Sequence, residues 1–388
     1  MSSWIEVSSE RLAANYRMLA QAAGADTAVL AVVKANAYGH GIESCVPPLA
    51  LAGAPWFGVA GVDEGVRVRQ CLHAAGLSRP PAHSILLMCG FLPADVPAIS
   101  EHALTPVLCT AQQAHWLAGT GMRVHVEIET GMGRQGVCPG PDLAALLRAI
   151  SAAGLVLDGL CTHFCAAEAA NGELTRAQQL RFAAAAEQVR SWSCSHNGAP
   201  AWLHAGSSSS LDNPIAHPWL ADLARTLGAR PMVRCGLALY GYCLPIDGAA
   251  TPAIRPSLKP VLTWKTRILD LREARPGDTI GYNATFTAPA PMRLALLAAG
   301  YADGLRRELC STNIAPGGWV IASSANGPAR APIVGRISMN LTMADVTGID
   351  GLRVGDEVIL LGDGVTADDH ARLACTIPYE ILCAIRPA

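Results

Sequence analysis

The 388-residue sequence predicts an α/β protein: a (β/α)8 or TIM barrel followed by a C-terminal all-β domain. The chain is longer than one ordinary hydrophobic core supports, so two domains are expected. Up to residue 244, apolar strand-like runs alternate with amphipathic helical stretches, and such a barrel takes about 250 residues. After Pro245, short β-type runs are separated by Pro and Gly. The predicted domains are 8–244 for the barrel and 245–388 for the β domain.

The barrel elements can be read in chain order. A short strand, SWIEV at 3–7, precedes a helix over 10–23 whose Leu12, Tyr16 and Leu19 share one face. Eight apolar runs then predict the barrel strands, which are 28–34, 57–61, 84–89, 104–108, 123–129, 156–163, 201–206 and 232–236. Helical stretches between them include 111–118, 141–153 and 174–192.

The second domain begins after a linker rich in Pro and Ala, IDGAATPAIRPSLKP. Its β-type runs are VLTWKTRILDL, DTIGYNATF, MRLALLAA, GWVIAS, APIVGRISMNLTMADV and DEVILLG. No long helix is expected until about 366–375. Because the strand at 1–7 has no helical partner, it could pair into this domain.

Composition narrows the function class. The net charge is −2 with no basic or acidic block, which gives no support to nucleic-acid or membrane-surface binding. No apolar run reaches the roughly 18 residues of a membrane span, and the N-terminus lacks a signal pattern. The 13 scattered cysteines contain no CxxC pair, which suits a reducing compartment and small core residues rather than disulfides or metal. A cytoplasmic protein without a metal site is expected.

The stretch AVLAVVKANAYGHG places Lys34 at the end of a buried strand. Lys34 either extends its ammonium to solvent or forms a Schiff base with a carbonyl cofactor, which would remove the buried charge. Polar groups also follow other barrel strands, at the end where catalytic residues of such barrels lie. These candidates are Lys34, Arg134, His163, His204, Ser208 and Arg234. A phosphate could be bound by the Ser208 hydroxyl and the Gly236 and Leu237 amides, together with Tyr38.

VVKANAYGHG resembles the pyridoxal-phosphate lysine motif of bacterial alanine racemases, and later segments match that family in the same order. The resemblance implies pyridoxal 5'-phosphate as cofactor and a racemase that removes and returns a proton by two bases. Lys34 would be one base, and Tyr282 of IGYNATF the other, donated by the second subunit of a homodimer. Arg234, in the V-R-x-G-x-A-x-Y-G segment, would face the pyridine nitrogen and keep it unprotonated.

Other residues take roles from the same resemblance. Arg134 of GMGRQG would contact the cofactor's phenolic oxygen and the substrate carboxylate, which the backbone N–H of Met339 would also bind. Tyr301 of GYADGLRR would lie at the wall of the site, and Tyr379 of IPYEIL near the phosphate. His163 or Arg234 could lower the pKa of Tyr282 or accept its proton.

Three residues depart from the family pattern. Asn340 replaces a usual aspartate, Ser207 a common asparagine, and Glu127 a lysine that many members carbamylate. Glu127 is expected to supply directly the anion that orients Arg134. The expected function is therefore alanine racemisation that supplies D-alanine for peptidoglycan, with a serine or broad-specificity racemase as the nearest alternative. A pyridoxal-phosphate decarboxylase would need an acidic group where Arg234 stands, and a non-enzymatic cofactor carrier would lack the β domain.

Overall fold

The structure is a computed structural model that describes residues 3–77, 83–193, 200–247, 254–324 and 327–386. Residues 248–253 of the predicted linker lie outside the described residues. The chain divides into two compact units, which we call the barrel unit and the β unit. The barrel unit comprises Ser9–Ala37 and Gly41–Lys259, and the β unit comprises Met1–Ser8, Tyr38–His40 and Pro260–Ala388. The predicted domain boundaries stay a prediction.

The barrel unit is a closed ring of eight parallel strands, so the predicted fold class is confirmed. The N-terminal strand β1, at Ser3–Val7, belongs to the β unit. Pairing of Leu30 with Arg234 helps to close the ring between its first and last strands. The barrel strands are β2 (Ala28–Val32), β3 (Trp56–Val59), β4 (Ser84–Leu87), β5 (Thr105–Leu108), β6 (Arg123–Glu127), β7 (Val156–Cys161), β8 (Trp202–His204) and β9 (Arg230–Cys235).

One helix precedes the first barrel strand, and the helices after it connect successive barrel strands, as the alternation of sequence patterns predicts. Parallel neighbouring strands need a long crossover connection, which is usually a helix. Each such helix buries its apolar face against the strands. The helices are α1 (Ser9–Ala23), α2 (Ile42–Leu51), α3 (Val62–Ala74), α4 (Val96–Glu101), α5 (Ala111–Trp116), α6 (Pro141–Ala152), α7 (Glu173–Ser193) and α8 (His217–Leu227).

Strand β6 is buried on both faces, unlike a half-exposed strand. Val124 and Val126 are inaccessible to solvent on one face, and His125 and Glu127 are buried on the other. Such two-sided burial is the normal state of a barrel strand between interior and helices. Polar residues on β6 therefore lie inside the protein and need partners there.

The β unit is built on an antiparallel sheet. Besides β1, its strands are β10 (Leu262–Ala274), β11 (Thr279–Ile280), β12 (Phe286–Thr287), β13 (Met292–Leu297), β14 (Trp319–Ser324), β15 (Gly327–Pro332), β16 (Thr342–Asp345) and β17 (Glu357–Leu361). Strand β1 pairs with β10, from Ser3 opposite Thr266 to Val7 opposite Leu262. The order of the remaining strands is β15-β14-β17-β10-β13-β16, and β11 and β12 form a separate hairpin. Two short helices follow, α9 (Ala367–Leu373) and α10 (Pro378–Ala384).

Within the described ranges, no helix is long and apolar enough to cross a membrane. The cytoplasmic location predicted above stays a prediction.

Candidate active site

Lys34 lies just beyond the first barrel strand, which ends at Val32 rather than at residue 34 as predicted. The next residues, Ala35 to Tyr38, all have φ between +52° and +55°, a left-handed turn. Left-handed backbone costs roughly 1–2 kcal/mol per non-glycine residue, so alanine, asparagine and tyrosine in succession are not expected to adopt it. The sequence therefore did not predict this turn. Strain of this kind concentrates at functional sites.

The left-handed turn after Lys34 is held by side chains of the barrel unit. Glu64 Oε1 accepts a hydrogen bond from the backbone N–H of Asn36 at 3.0 Å, and its Oε2 accepts from Ala60 at 3.0 Å. The Asn36 side-chain oxygen accepts from the backbone N–H of Ile42 at 3.2 Å and from Arg67 at 2.8 Å. Sequence reasoning missed Asn36 and Glu64. The one available signal was that asparagine tolerates the left-handed region.

Arg234, on β9, joins the ends of two other strands. Its Nη1 donates to His204 Nδ1 at 2.8 Å and to the His204 carbonyl at 3.2 Å. Its Nη2 donates to the Thr162 carbonyl at 2.6 Å and to His163 Nδ1 at 3.0 Å. Its Nε–H has no hydrogen-bond partner among the described residues, so one donor of the planar guanidinium is left for a ligand acceptor.

His163 lies among the positive charges of the candidate site. Burial, together with the charges of Arg234, Arg134 and Lys34, lowers the pKa of His163 to about 3. The ring is therefore neutral at physiological pH. Since arginine only donates, Nδ1 of His163 accepts from Arg234 and the ring hydrogen is on Nε2. His163 can thus donate a hydrogen bond to an anionic oxygen, but it is not free to accept a proton as predicted above.

The loop that carries Arg134 is organised by Glu129. The Glu129 carboxylate accepts hydrogen bonds from the backbone N–H of Gly131, from Met132 at 2.8 Å and from Gly133 at 2.9 Å. Three consecutive amides pointing at one carboxylate hold the backbone in a compact turn. Arg134 itself is exposed and has no hydrogen-bond partner within the described ranges, so its guanidinium is available to a ligand.

Gln178, on α7, ties this loop to the end of β7. Its Nε2 donates to Thr130 Oγ1 at 3.0 Å and to the His163 carbonyl at 2.9 Å, and its Oε1 accepts from Cys165 N–H at 2.9 Å. The side chain is 2% exposed, although it comes from an outer helix. No pattern in the sequence distinguishes this glutamine from the other polar residues of α7.

Glu127 is buried near the same strand ends but is not bonded to Arg134. Gln135 Nε2 donates to Glu127 Oε2 at 2.5 Å and to the Met88 carbonyl at 2.9 Å. Burial raises the pKa of Glu127, and the contacts with Gln135, Arg234 and Arg134 only partly offset this. Arg134 therefore acts on this carboxylate through its charge, while Gln135 makes the hydrogen bond. That the carboxylate orients Arg134 stays a prediction.

Ser208, which was predicted to bind a phosphate, is buried. It is 1% exposed, and its hydroxyl accepts hydrogen bonds from the backbone N–H groups of Gly236 at 3.2 Å and Ala238 at 3.1 Å. These two N–H groups bond to the Ser208 hydroxyl itself, and phosphate binding by the Gly236 and Leu237 amides stays a prediction. Converging amides and a hydroxyl form the type of concavity that binds anions.

The β unit brings three predicted segments to one edge. Tyr301 N–H donates to the Ser338 carbonyl at 3.0 Å, and Ala302 N–H donates to the Met339 carbonyl at 2.9 Å. A Cβ on Gly281, beside Tyr282, would lie 2.9 Å from the backbone nitrogen of Arg336. The segments of Tyr282, Tyr301 and Met339 are therefore neighbours through their backbones.

The same edge is exposed in this chain. Tyr282, Met339 and Tyr301 are 66%, 56% and 42% exposed, respectively, and Asn340 is also exposed. The backbone N–H of Met339 has no partner among the described residues. Large apolar side chains grouped at the surface mark binding surfaces.

Tyr38 and Tyr379 pack together within the β unit, with ring centroids 5.9 Å apart. Gly39 follows Tyr38 with φ of +81°, and a Cβ there would lie 2.4 Å from the Leu382 carbonyl oxygen. Only glycine permits this approach. The two tyrosines, predicted separately from distant motifs, are thus direct neighbours.

Comparison with known proteins identifies this arrangement with one family. A family model described as the N-terminal domain of alanine racemase matches residues 7–244, and one described as its C-terminal domain matches residues 261–388. An alanine racemase from Methylacidiphilum infernorum is 33% identical and covers 99% of this chain and 90% of its own length.

Solved structures give the same result. An alanine racemase from Streptomyces coelicolor has 29% identity and a TM-score of 0.81, covering 99% of this chain and 96% of its own. One from Bartonella henselae, with covalently bound pyridoxal phosphate, has 26% identity and a TM-score of 0.77, covering 100% of this chain and 98% of its own.

Proposed function

Because the chain belongs to the alanine racemase family, we propose that it interconverts L-alanine and D-alanine with pyridoxal 5'-phosphate as cofactor, supplying D-alanine for peptidoglycan. The observation that carries the proposal is the arrangement of Arg234 between His163 and His204, with the charges of Lys34 and Arg134 beside it. These groups meet at the carboxyl ends of the barrel strands, where such barrels hold their active sites.

The residues of the barrel fit the cofactor. Lys34 would supply the amine that holds the aldehyde, and the Ser208 hydroxyl with the Gly236 and Leu237 amides would supply phosphate-binding groups. The unpaired Nε–H of Arg234 matches a pyridine nitrogen that accepts a hydrogen bond. When bound, pyridoxal phosphate supplies an electron sink for the pair left when the α-proton leaves.

Arg234 decides what kind of chemistry the site favours. A guanidinium remains protonated at any physiological pH, and four of its hydrogen bonds hold it to neutral acceptors. A second positive charge beside it is unfavourable, so a neighbouring ring nitrogen stays unprotonated. An unprotonated ring nitrogen withdraws electrons less strongly, which favours simple removal and return of a proton over transamination.

Lys34 and Tyr282 are proposed as the bases for the two faces of the α-carbon. A phenol near pKa 10 needs help to act as a base at neutral pH. The Nε2–H of His163 could donate to a phenolate oxygen and so stabilise it. The proton of Tyr282 would then go to the substrate or solvent rather than to His163, which is kept in one tautomer by Arg234.

Substrate binding would use the charge of Arg134 and the N–H of Met339, both directed to the carboxylate. Neither group has a hydrogen-bond partner among the described residues, so binding would not require breaking an internal bond. Ser207 and Asn340 depart from the family pattern, and they would bear on which amino acid the site accepts.

The assay uses the purified protein loaded with pyridoxal phosphate. It is incubated with L-alanine, L-serine or other L-amino acids, and the D-isomer of each is measured by chiral chromatography. D-alanine formation at the highest rate supports the proposal, and equal or faster D-serine formation would replace it with a serine or broad-specificity racemase. No D-isomer from any substrate would refute racemase function.

We further propose a homodimer in which Tyr282 of one copy serves Lys34 of the other. The exposed edge with Tyr282, Tyr301 and Met339 supports this proposal. A mixture of Lys34→Ala and Tyr282→Phe proteins, unfolded and refolded together, would contain mixed dimers with one site intact in both residues. Recovery of activity on mixing is expected. Absence of recovery, with mixed dimers verified by mass, would mean that each site uses a single chain.

A further inference from the structure

A line of buried polar side chains continues from Arg234 into the barrel, away from the groups discussed above. His204 Nε2 lies 2.8 Å from His125 Nδ1, and both rings are inaccessible to solvent. His125 Nε2 lies 3.9 Å from Asp158 Oδ2, and Asp158 Oδ1 accepts a hydrogen bond from Arg123 at 2.7 Å. Arg123 is the first residue of β6 and is largely exposed. The line thus runs from Arg234, near the end of β9, to the opposite rim.

Arg234 determines the direction of the two hydrogen bonds that the His204 ring makes in this line. A guanidinium can only donate, so His204 Nδ1 must be an acceptor and the neutral ring carries its hydrogen on Nε2. That Nε2–H donates to His125 Nδ1, so His125 also carries its hydrogen on Nε2. This N–H faces Asp158, beyond hydrogen-bonding distance but within electrostatic range.

The backbone of β7 accommodates the His125 ring and directs the Asp158 side chain. A Cβ on Gly159 would lie 2.6 Å from Nδ1 and Cε1 of His125, so glycine is required where the ring passes. The pairing of β6 with β7 shifts by one residue between Val124–Leu157 and His125–Gly159, leaving Asp158 as the extra residue. Bulges of this kind redirect a side chain, here a carboxylate facing His125 and Arg123.

We propose that His204, His125 and Asp158 are positioning residues for Arg234, forming a one-directional series of donors from the guanidinium through two neutral imidazoles to a carboxylate. The series rests on the proposed function, because Arg234 is its only link to the reaction. The negative charge of Asp158 favours His125 as acceptor for His204, and His204 in turn as acceptor for Arg234. Aligned hydrogen bonds polarise one another in this way.

Electrostatics agree with two neutral rings. Burial, followed by the charge of Arg234, lowers the pKa of His204 well below its usual value. Burial also lowers the pKa of His125, although Asp158 opposes this. Burial alone would raise the pKa of Asp158, but its neighbours His125 and Arg123 bring it below the usual value. The series therefore ends in a carboxylate charge balanced by Arg123.

The competing explanation is that Asp158 and Arg123 form an ion pair that only stabilises the barrel. The two explanations differ in what they predict at His204. A purely stabilising pair changes the unfolding temperature and leaves His204 unaffected. A positioning series changes the magnetic environment of His204 and the turnover of the enzyme.

The first experiment is nitrogen NMR on the histidine-labelled holoenzyme, with resonances assigned through single substitutions. We expect both His125 and His204 to carry hydrogen on Nε2 and none on Nδ1, and Asp158→Asn to shift the His204 resonances. A protonated Nδ1 in either ring, or unchanged His204 resonances in Asp158→Asn, would overturn the proposal. This result does not depend on whether the protein racemises alanine, so the two proposals fail separately.

The second experiment is kinetic. Asp158→Asn and His125→Phe should each lower kcat for alanine by about tenfold or more, as loss of an outer hydrogen-bond partner typically does, with KM nearly unchanged. His125→Gln keeps an acceptor for His204 and should retain most activity. Asp222→Asn, which removes an exposed ion pair with Arg225, is the matched control. Full activity in both Asp158→Asn and His125→Phe, or a loss explained by unfolded protein alone, would overturn the proposal.

Discussion

In the barrel unit, Arg234 and the histidines beside it bond to one another, whereas in the β unit Tyr282, Tyr301 and Met339 face solvent. His204 and Ser208 are 0% and 1% exposed, while Tyr282 and Met339 are 66% and 56% exposed. Arg234 makes four hydrogen bonds to neighbouring strands, and Tyr282 makes none through its hydroxyl within the described ranges. The barrel unit therefore holds Arg234, His204 and Ser208 in place by itself, and the exposed edge of the β unit presents Tyr282 and Met339 to a partner surface.

This contrast has a physical cause. A closed barrel brings eight strand ends together, and a polar group that is buried among them must find a partner there. The turns and the loop that carry Tyr282, Tyr301 and Met339 have no such requirement, because solvent satisfies their polar groups. Substitutions in the barrel unit should therefore disturb several residues at once, whereas those at the β-unit edge should act alone.

Lys34→Ala should produce the largest effect. Loss of the proposed covalent anchor and of one base should lower turnover by on the order of 10⁴-fold and remove the visible absorbance of the bound cofactor. Lys259→Ala, which removes an exposed lysine of the same unit, serves as control. Retention of the cofactor absorbance in Lys34→Ala would show that this lysine is not the anchor.

Tyr282→Phe should separate the two faces of the reaction. Removing one hydroxyl should lower L-to-D turnover by about 10²–10⁴-fold, while Lys34 still exchanges the α-proton of D-alanine with deuterium. Because Tyr282 is exposed, the unfolding temperature should not change. Equal loss of deuterium exchange from both isomers would mean that the two bases are not divided between the faces.

Arg234→Glu tests the coupling inside the barrel unit. A carboxylate would allow the ring nitrogen to be protonated, so side transamination should rise, detected as pyridoxamine phosphate by chromatography. It would also leave Thr162 and both histidines without their donor, costing about 1–3 kcal/mol of stability for each buried acceptor left unsatisfied. Arg234→Lys keeps the charge and should show little transamination. Unchanged product and stability in Arg234→Glu would remove Arg234 from the site.

Glu127→Gln should have a smaller effect. It keeps the shape of the side chain but removes the charge near Arg134 and weakens the hydrogen bond from Gln135. The value of kcat/KM for alanine should therefore fall by an amount that corresponds to about 1–3 kcal/mol of transition-state stabilisation. Activity of the native enzyme should not depend on bicarbonate, and Glu127→Lys should be poorly active unless bicarbonate restores it. Native kinetics in Glu127→Gln would make this carboxylate an ordinary buried polar group.

Acid should destabilise the barrel unit gradually. In the folded protein the pKa of His163 is lowered to about 3, whereas in the unfolded chain it is near 6.5. Below pH 6.5 the unfolded state therefore binds more protons, and the stability of the fold decreases as the pH is lowered. The loss from this residue should approach about 1.4 kcal/mol per pH unit. Denaturant unfolding of native protein and His163→Gln at pH 7.5 and 5.5 should show a smaller loss in the variant. Equal losses would place the acid sensitivity elsewhere.

Much of the candidate site could be predicted from the sequence. The eight strands follow from short apolar runs, and the distinctive segments around Lys34, Arg234 and Tyr282 were found because each motif is local in the chain. The roles of individual residues rested on resemblance, since no local pattern says what a side chain contacts.

The sequence by itself determined the barrel, the following β domain and the positions of the main candidate residues, because hydrophobic periodicity and short motifs depend on neighbours in the chain. Tertiary structure alone decided that His204 meets His125, 79 residues away, and that Gln135 rather than Arg134 bonds to Glu127. It also decided the left-handed turn after Lys34, against the preference of alanine. These features depend on strand register, closure of the barrel and burial of charge, none of which is encoded within a single segment.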